Sequence, residues 1–467
     1  MAQHLLVRIN SPGLEIGRVD KPIVSVAGLR GIVGDTFTTD VILPYVAAFA
    51  DMVKKKRVVV GGDSRPSREW AQPVVEAILR SRGIDVVPID LAPTPTVGLM
   101  VRELNAGGGI VITASHNPIE WNGLKFFNKD GEFLSEKEHK KLSALMKKPP
   151  VPKKALKIGK NIDENAPLQR HIGKVVEIIE PMMPKRRKKL RVVLDCCNGA
   201  ASIIGPLLAS TMGTMPEIIF NSPGRLFPRE AEPLPQNLRA LKREVKRTGS
   251  DFGAAFDPDA DRLALVDETG RAIGEERTLL LAADAYYSAT KSSSPLGVNM
   301  STSQAIDELA RKYGVDVYRS KIGEAHVLAQ MKKVGAEIGG EGNGGVILPA
   351  VHTGRDAATA LALIILGMQK GRRTLSKWNS EFTDYVMVKT KFSAENSTLP
   401  KLMKRARSMF PDAIDIDELD GAKFIFENNA FLHMRPSGTE PIIRVFIEAP
   451  DKLSAKEIIK RAQAILQ

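Results

Sequence analysis

Short continuous apolar runs alternate along the chain with longer stretches of helical periodicity. Residues 57–63 (RVVVGGD), 109–115 (GIVITAS), 192–195 (VVLD) and 297–301 (GVNMS) each end in Gly, Asp, Asn or Ser. Runs of this kind, with no alternating polar face, predict strands buried on both sides and hence parallel or mixed sheets covered by helices. The recurrence of strand, polar turn and helix predicts a repeated α/β unit. The end of the chain reads differently. Residues 423–427 and 430–434 flank Asn428-Asn429 in a hairpin pattern, and 442–448 read as a further strand. Ser454 and Glu457 predict a capping box, followed by one apolar stripe of Ile458, Ile459, Ala462, Ile465 and Leu466. A smaller antiparallel α+β domain is expected there. Breaks at a Pro/Lys linker near residue 155, around 268–273 and around 371–377 predict domains at 1–160, 161–268, 269–374 and 375–467.

Composition narrows the class. Of 467 residues, 43% are hydrophobic and 26% charged, a globular balance that excludes a largely disordered chain. The longest apolar run, 357–368, is shorter than the ~20 residues of a membrane helix. No basic start followed by an apolar stretch and a small-residue cleavage site stands in residues 1–22, so no secretory signal is expected. The two cysteines, Cys196 and Cys197, are adjacent and cannot build a disulfide framework; a cytoplasmic location and an inert pair on a core strand are expected. The net charge of +13 concentrates at residues 147–160 and 185–189. Aromatics are only 5%, so base-stacking platforms are scarce, and no nucleic-acid or membrane partner is expected.

Chemistry concentrates in four segments. Asp257-Pro258-Asp259-Ala260-Asp261-Arg262 lies between strand-like flanks, and three carboxylates at alternate positions can converge on one hard cation. A calcium-loop reading fails at Arg262, where glycine is required; a solvated acidic turn is the alternative. Thr113-Ala114-Ser115-His116-Asn117-Pro118 follows a strand and puts a serine where α/β sheets bind ligands. The same residues could instead cap a helix begun at Pro118. Trp121-Asn122-Gly123-Leu124-Lys125 adds a cation downstream. Gly339-Gly340-Glu341-Gly342-Asn343-Gly344-Gly345 offers Glu and Asn for sugar hydroxyls, or is only a flexible loop. Arg435-Pro436-Ser437-Gly438-Thr439-Glu440-Pro441, ahead of Arg444, offers hydroxyls, freed N–H groups and guanidiniums to a phosphate. Near the start, Gly28-Leu29-Arg30-Gly31 and Gly61-Gly62-Asp63-Ser64-Arg65 read as Gly/Arg loops.

Together these segments resemble the α-D-phosphohexomutase family over nearly the whole chain, with four landmarks in the family's order at 113–118, 257–262, 340–344 and 435–441. The resemblance implies three similar mixed-sheet α/β domains and a smaller C-terminal α+β domain around one central cleft. It implies Ser115 as the phosphorylated serine, and Asp257, Asp259 and Asp261, with the seryl phosphate, as Mg²⁺ ligands. Arg262, Arg30, Lys125 and His116 fall among the catalytic positions. Glu341 and Asn343 match the sugar-reading loop, and Arg435, Ser437, Gly438, Thr439 and Arg444 the loop for the non-reacting phosphate. The implied reaction moves phosphate between O1 and O6 of a hexose phosphate by way of a hexose 1,6-bisphosphate, in a monomer or homodimer. The E-x-N-G-G variant and Trp121-Asn122-Gly123 resemble members acting on glucosamine phosphate, with mannose and glucose phosphates next. Three departures stand out: no histidine follows Asn343-Gly344, Ala325 stands where relatives often carry arginine, and Pro258 replaces a frequent glycine. Lys125 and His116, with His352 more distantly, are then the acid/base candidates. Two readings outside mutase chemistry stay open at this point, an anion-binding regulator and a phosphatase acting from Ser115.

Overall fold

The strand-forming runs pair as their composition demands. In the computed structural model of the chain, which describes residues 21–25, 28–53, 57–147, 157–393, 399–436 and 442–465, a six-stranded mixed sheet opens the fold. Val58–Gly62 lies between Val86–Leu91 and Gly108–Ile112, parallel to both. Trp121–Phe127 then pairs antiparallel with Gly108–Ile112, Gly28–Ile32 with Trp121–Phe127, and Ile23–Ser25 with Gly28–Ile32. Every residue of Val58–Gly62, Gly108–Ile112 and Trp121–Phe127 is buried, the two-faced burial that continuous apolar runs require. Gly28-Leu29-Arg30-Gly31, expected as a loop, is instead the strand Gly28–Ile32. Its glycines sit under backbone atoms of residues 36 and 124, where a side chain would not fit.

A second mixed sheet carries the acidic segment. Arg191–Asp195 runs parallel to Met215–Ile219 and Phe252–Phe256, and Phe252–Phe256 pairs antiparallel with Leu263–Asp267. The Asp-rich run is thus a hairpin turn between buried strands. Cys196 and Cys197 lie just past Arg191–Asp195, not on it, with Cys197 at φ +52°. Both are buried, and burial pushes the Cys197 thiol up to about 12, so neither thiol is reactive. The third α/β domain contributes the parallel pair Leu296–Asn299 with Val317–Ser320 and the antiparallel pair Ile338–Glu341 with Gly345–Ile347. The C-terminal domain has an antiparallel sheet of five strands in the order Val386–Ser393, Ile442–Ala449, Phe431–Pro436, Ala422–Ile425, Asp415–Asp417. The expected turn is present at Asn428-Asn429, with Asn429 at φ +59°. The helix Lys452–Ala464 starts earlier than expected. Its cap is Asp451, whose carboxylate accepts from the N–H groups of Leu453 and Ser454, so Ser454 is inside the helix. The fold is therefore three α/β domains with mixed sheets followed by a C-terminal domain with an antiparallel sheet.

Residues 21–292 with 337–379 form one compact unit, and 293–336 with 380–465 a second. In the first, the apolar run 357–368 is the helix Ala357–Gly371, buried nearly all round against Glu276–Thr290, Pro167–Ile179 and Ala201–Thr211. Among the described residues no helix is long and apolar enough to cross a membrane. The basic run 185–189 is exposed, with Arg187 on Glu180 and Lys188 on Asp251; residues 148–156 of the other basic cluster lie outside the described residues.

Buried histidines set the acid limit of this fold. Burial pushes His352 down to about 3 and His433 to about 4, and the partial burial of His116 and His139 lowers them too. Each folds neutral, while the unfolded chain binds those protons near 6.5. The unfolded state then holds more protons below that pH, so stability is full above it and falls as pH drops. Denaturant midpoints measured from pH 7 to pH 5 are expected to fall steadily; a flat profile would contradict the neutral, buried assignment.

Candidate active site

Ser115 sits just beyond the carboxyl end of Gly108–Ile112, buried, with φ +54°. No helix starts at Pro118: the segment is a turn leading into Trp121–Phe127. A non-glycine residue at positive φ is held there only by its surroundings. The Thr113 hydroxyl accepts from Ser115 N–H at 2.8 Å and donates to Asp63 Oδ2 at 2.5 Å. Arg65, ion-paired with Asp63, donates to the carbonyls of Ser115 at 2.9 Å and Asn117 at 2.6 Å. The Gly61-to-Arg65 segment is thus a clamp on the serine turn. Ser115 Oγ lies 3.3 Å from His116 Nδ1, and Arg30 donates to Asn117 Oδ1 at 3.1 Å.

Asp257, Asp259 and Asp261 are fully buried, and each offers a ligand oxygen within 4.8 Å of the others. Asp257 Oδ1 accepts from the N–H groups of Asp261 and Arg262, both at 3.1 Å, which closes the turn. One oxygen of each carboxylate, Asp257 Oδ2, Asp259 Oδ1 and Asp261 Oδ1, has no hydrogen-bond partner. Three buried acceptors without a hydrogen-bond donor, the nearest cation on them being Arg262 Nε at 3.7 Å from Asp261 Oδ1, fit a hard divalent cation. The opposite oxygens are taken. Lys125 Nζ reaches Asp259 Oδ2 at 2.6 Å and Asp261 Oδ2 at 3.3 Å, and the Thr94 hydroxyl donates to Asp259 Oδ2 at 2.5 Å. Pro258 is accommodated because its carbonyl accepts from Ala200 N–H at 2.8 Å, over Gly199. Behind the turn, buried Arg229 joins Asp195 to the carbonyl of Phe256.

The charges respond to one another. Burial and the Asp261 and Asp259 carboxylates push Asp257 well above the usual carboxylate range. Burial works the same way on Asp261, but Arg355, Lys125 and Arg262 outweigh it and hold that carboxyl below its usual range. Burial alone would lower Lys125; Asp259 and Asp261 reverse this and keep its ammonium charged. His116 is driven well below its ordinary value by burial and by the guanidiniums of Arg262 and Arg30, and so stays neutral. Burial brings Arg30 down to about 10, against the pull of Asp259. Asp261 and Arg262 act on His116, the neighbour of Ser115, so the serine turn and the acidic turn share one electrostatic site.

The glycine-rich segment is not a flexible loop. It is a tight hairpin with Glu341 buried, Gly344 at φ +90°, and the Gly344 carbonyl accepting from Leu263 N–H at 3.0 Å, beside the acidic turn. Asn343 Nδ2 donates to Glu341 Oε2 at 3.4 Å. Arg355, not singled out by any sequence motif, bonds Asp261 Oδ2 at 2.8 Å and pairs with Glu341 Oε2 at 3.0 Å. Its stem fills the space a side chain at position 345 would occupy, which is where the sequence lacks a histidine. His352 is a neutral core residue packed edge-on to Phe127 and against Gly98. Arg262 pairs with Glu232 at 3.1 Å. In the other unit, Arg435 and Arg444 stand opposite each other in strand register, and Arg435 lies 3.3 Å from Asp420. Ser437, Gly438 and Thr439 lie outside the described residues.

Comparison with known proteins defines the class. Four family models match in succession: phosphoglucomutase/phosphomannomutase alpha/beta/alpha domain I at residues 21–151, domain II at 169–270, domain III at 274–385, and the C-terminal domain at 387–464. The chain belongs to the phosphoglucomutase/phosphomannomutase family, the α-D-phosphohexomutases, and is an isomerase of the mutase kind. It is 34% identical over 447 residues to a phosphoglucomutase/phosphomannomutase of Thermococcus kodakarensis, covering 94% of this chain and 97% of that one. It is 32% identical over 434 residues to a probable phosphoglucosamine mutase of Methanopyrus kandleri, covering 92% and 95%. The fold matches a Burkholderia thailandensis phosphoglucomutase/phosphomannomutase family structure with TM-score 0.82 at 24% identity, covering 95% and 96%. An Aspergillus fumigatus N-acetylphosphoglucosamine mutase, solved with GlcNAc-6P and magnesium, matches with TM-score 0.64 at 15% identity, covering 95% of each chain.

Proposed function

We propose that this mutase interconverts glucosamine 6-phosphate and glucosamine 1-phosphate through phospho-Ser115 and a hexose 1,6-bisphosphate. The observation that carries the reading is the shared site: a buried, conformationally constrained serine beside a neutral histidine, and an aspartate trio with three unpartnered oxygens under Lys125. Asp257, Asp259 and Asp261, with the seryl phosphate, would hold Mg²⁺. Bound there, Mg²⁺ would supply Lewis-acid stabilisation of charge on the transferring phosphoryl oxygens.

The chain's own groups do the rest. The free sugar hydroxyl attacks the phosphorus of phospho-Ser115, the new O–P bond forms as the P–Oγ bond breaks, the hydroxyl proton leaves to a base, and Ser115 Oγ takes up a proton to become the free seryl hydroxyl. His116, with Nδ1 3.3 Å from Ser115 Oγ, is placed to relay a proton at that oxygen; Lys125, kept charged, and Arg262 and Arg30 offset the developing negative charge. The bisphosphate reverses end for end, and Ser115 Oγ accepts the other phosphoryl group. Glu341 and Asn343 read the sugar hydroxyls in both orientations. Arg435, Ser437, Gly438, Thr439 and Arg444 hold the phosphate that is not reacting. Water is excluded, since hydrolysis would strand the enzyme without its phosphate. The working form is a cytoplasmic monomer or homodimer.

Coupled assays with glucosamine 6-phosphate, mannose 1-phosphate and glucose 1-phosphate test the substrate. Glucosamine phosphate is expected to lead in kcat/KM by about tenfold, well short of the 10⁴–10⁵ reached when a bonding group is missing, because glucose and mannose put a hydroxyl where glucosamine has its amine. The second reading, mannose and glucose phosphates, draws on the Thermococcus kodakarensis relative, and a lead for either sugar would move the conclusion there. Isomerisation of none of them would end both.

A further inference from the structure

We infer that Arg355 is the positioning residue that ties the sugar-facing hairpin to the aspartate turn, and that Gly345 is glycine because Arg355 passes through the space of its missing side chain. The inference rests on the reading of Glu341 as a sugar contact and adds to it a group outside all four motifs.

Glu341 and Gly345 are directly paired across the hairpin. A Cβ at 345 would stand 2.2 Å from Arg355 Cδ and 2.8 Å from its Cγ, closer than any real side chain tolerates. The Arg355 stem therefore lies on the hairpin backbone, and its guanidinium ends between two buried carboxylates. Nη1 is 3.0 Å from Glu341 Oε2, and Nη2 is 2.8 Å from Asp261 Oδ2. Glu341 and Asp261 are 4% and 0% exposed, so an uncompensated charge on either would be costly. A planar fork, with donors on two rigidly separated nitrogens, suits this span; the compact ammonium of a lysine at 355 has no such fixed separation between its donors.

The backbone from which Arg355 projects is itself pinned. Asp356 caps the helix Ala357–Gly371 by accepting from Ala358 N–H at 2.9 Å. The same carboxylate is 2.9 Å from His171 Nε2, and His171 Nδ1 is 2.8 Å from the Thr96 hydroxyl. Lys125 also reaches Asp261, so Asp261 keeps a cation when Arg355 is removed, whereas Glu341 loses the guanidinium on Oε2 that helps aim it. The larger consequence belongs to sugar binding.

Arg355→Met is expected to raise KM for the hexose phosphate by roughly tenfold or more with a smaller fall in kcat, the signature of lost uniform binding. Arg355→Lys, which keeps charge and most of the volume, gives the same direction and does not rescue. Gly345→Ala displaces Arg355 and reproduces the KM effect, and Gly345→Ala with Arg355→Met is no worse than Arg355→Met alone. Glu341→Gln and Arg355→Met are non-additive in a double-mutant cycle. Independently of turnover, amide hydrogen exchange across residues 340–346 rises about tenfold in Arg355→Lys, as expected for a locally released hairpin. KM within twofold of wild type in Arg355→Met, an additive cycle, or unchanged exchange overturns the inference. If wild type isomerises no hexose phosphate, the mutase reading fails, and the exchange measurement still decides whether Arg355 fastens the hairpin.

Discussion

Ser115→Ala leaves no measurable turnover of any hexose phosphate while the protein unfolds as wild type does. The loss is that of the atom that carries the phosphoryl group, and removal of a covalent nucleophile costs on the order of 10⁵ or more in kcat. The fold survives for a local reason. The turn is held through the N–H and carbonyl of Ser115, by Thr113 and by Arg65, and alanine keeps both. The hydroxyl's partner is the Nδ1 atom of half-buried His116, at 3.3 Å. A midpoint shift within about 1 kcal/mol is expected. Turnover near the wild-type rate would mean that the nucleophile lies elsewhere.

Asp257→Asn is expected to behave in two opposite ways. Activity falls by roughly 10³, because the amide keeps the Oδ1 bonds to the N–H groups of Asp261 and Arg262 but turns a donor toward the cation position. Stability of the metal-stripped protein rises. Three buried carboxylates repel, and burial with the charges of Asp261 and Asp259 already drives Asp257 toward its neutral form. A neutral amide removes that repulsion, and a gain of about 1 kcal/mol raises the melting temperature by roughly 2–4 °C in a domain of this size. Calorimetry in chelator, compared with activity in excess Mg²⁺, reads both. A variant both active and unchanged in stability would remove the aspartates from the mechanism. Such opposition of activity and stability is what a site that stores uncompensated charge produces.

The landmarks were legible because their chemistry is local. The three aspartates alternate within five residues between strand-forming runs, so hairpin and cation site follow from one stretch of sequence. Ser115 was legible for the same reason, as a polar residue at the end of a continuous apolar run. What was not legible is brought in by packing. Arg355 lies 94 positions from Asp261 and Thr94 lies 165 from Asp259. Lone arginines and threonines carry no pattern until the chain folds. The nearest signal was indirect, a glycine at 345 that turns out to make room for Arg355. Local misreadings have equally local causes. Glycines in Gly28–Ile32 serve close backbone approach and not a turn. Asp451 outcompetes Ser454 for the helix cap because its carboxylate takes two N–H groups at once. The serine segment resembles a helix start in composition, but the Asp63 and Arg65 clamp and the pairing into Trp121–Phe127 leave no room for one.

Intact-mass and peptide mass spectrometry of the purified chain, before and after incubation with a hexose 1,6-bisphosphate, tests the phosphoserine directly. One added phosphate, localised to Ser115 and discharged by hexose monophosphate with appearance of the bisphosphate, is the predicted result. A chain that never carries phosphate at Ser115, yet isomerises its substrate, would contradict the account.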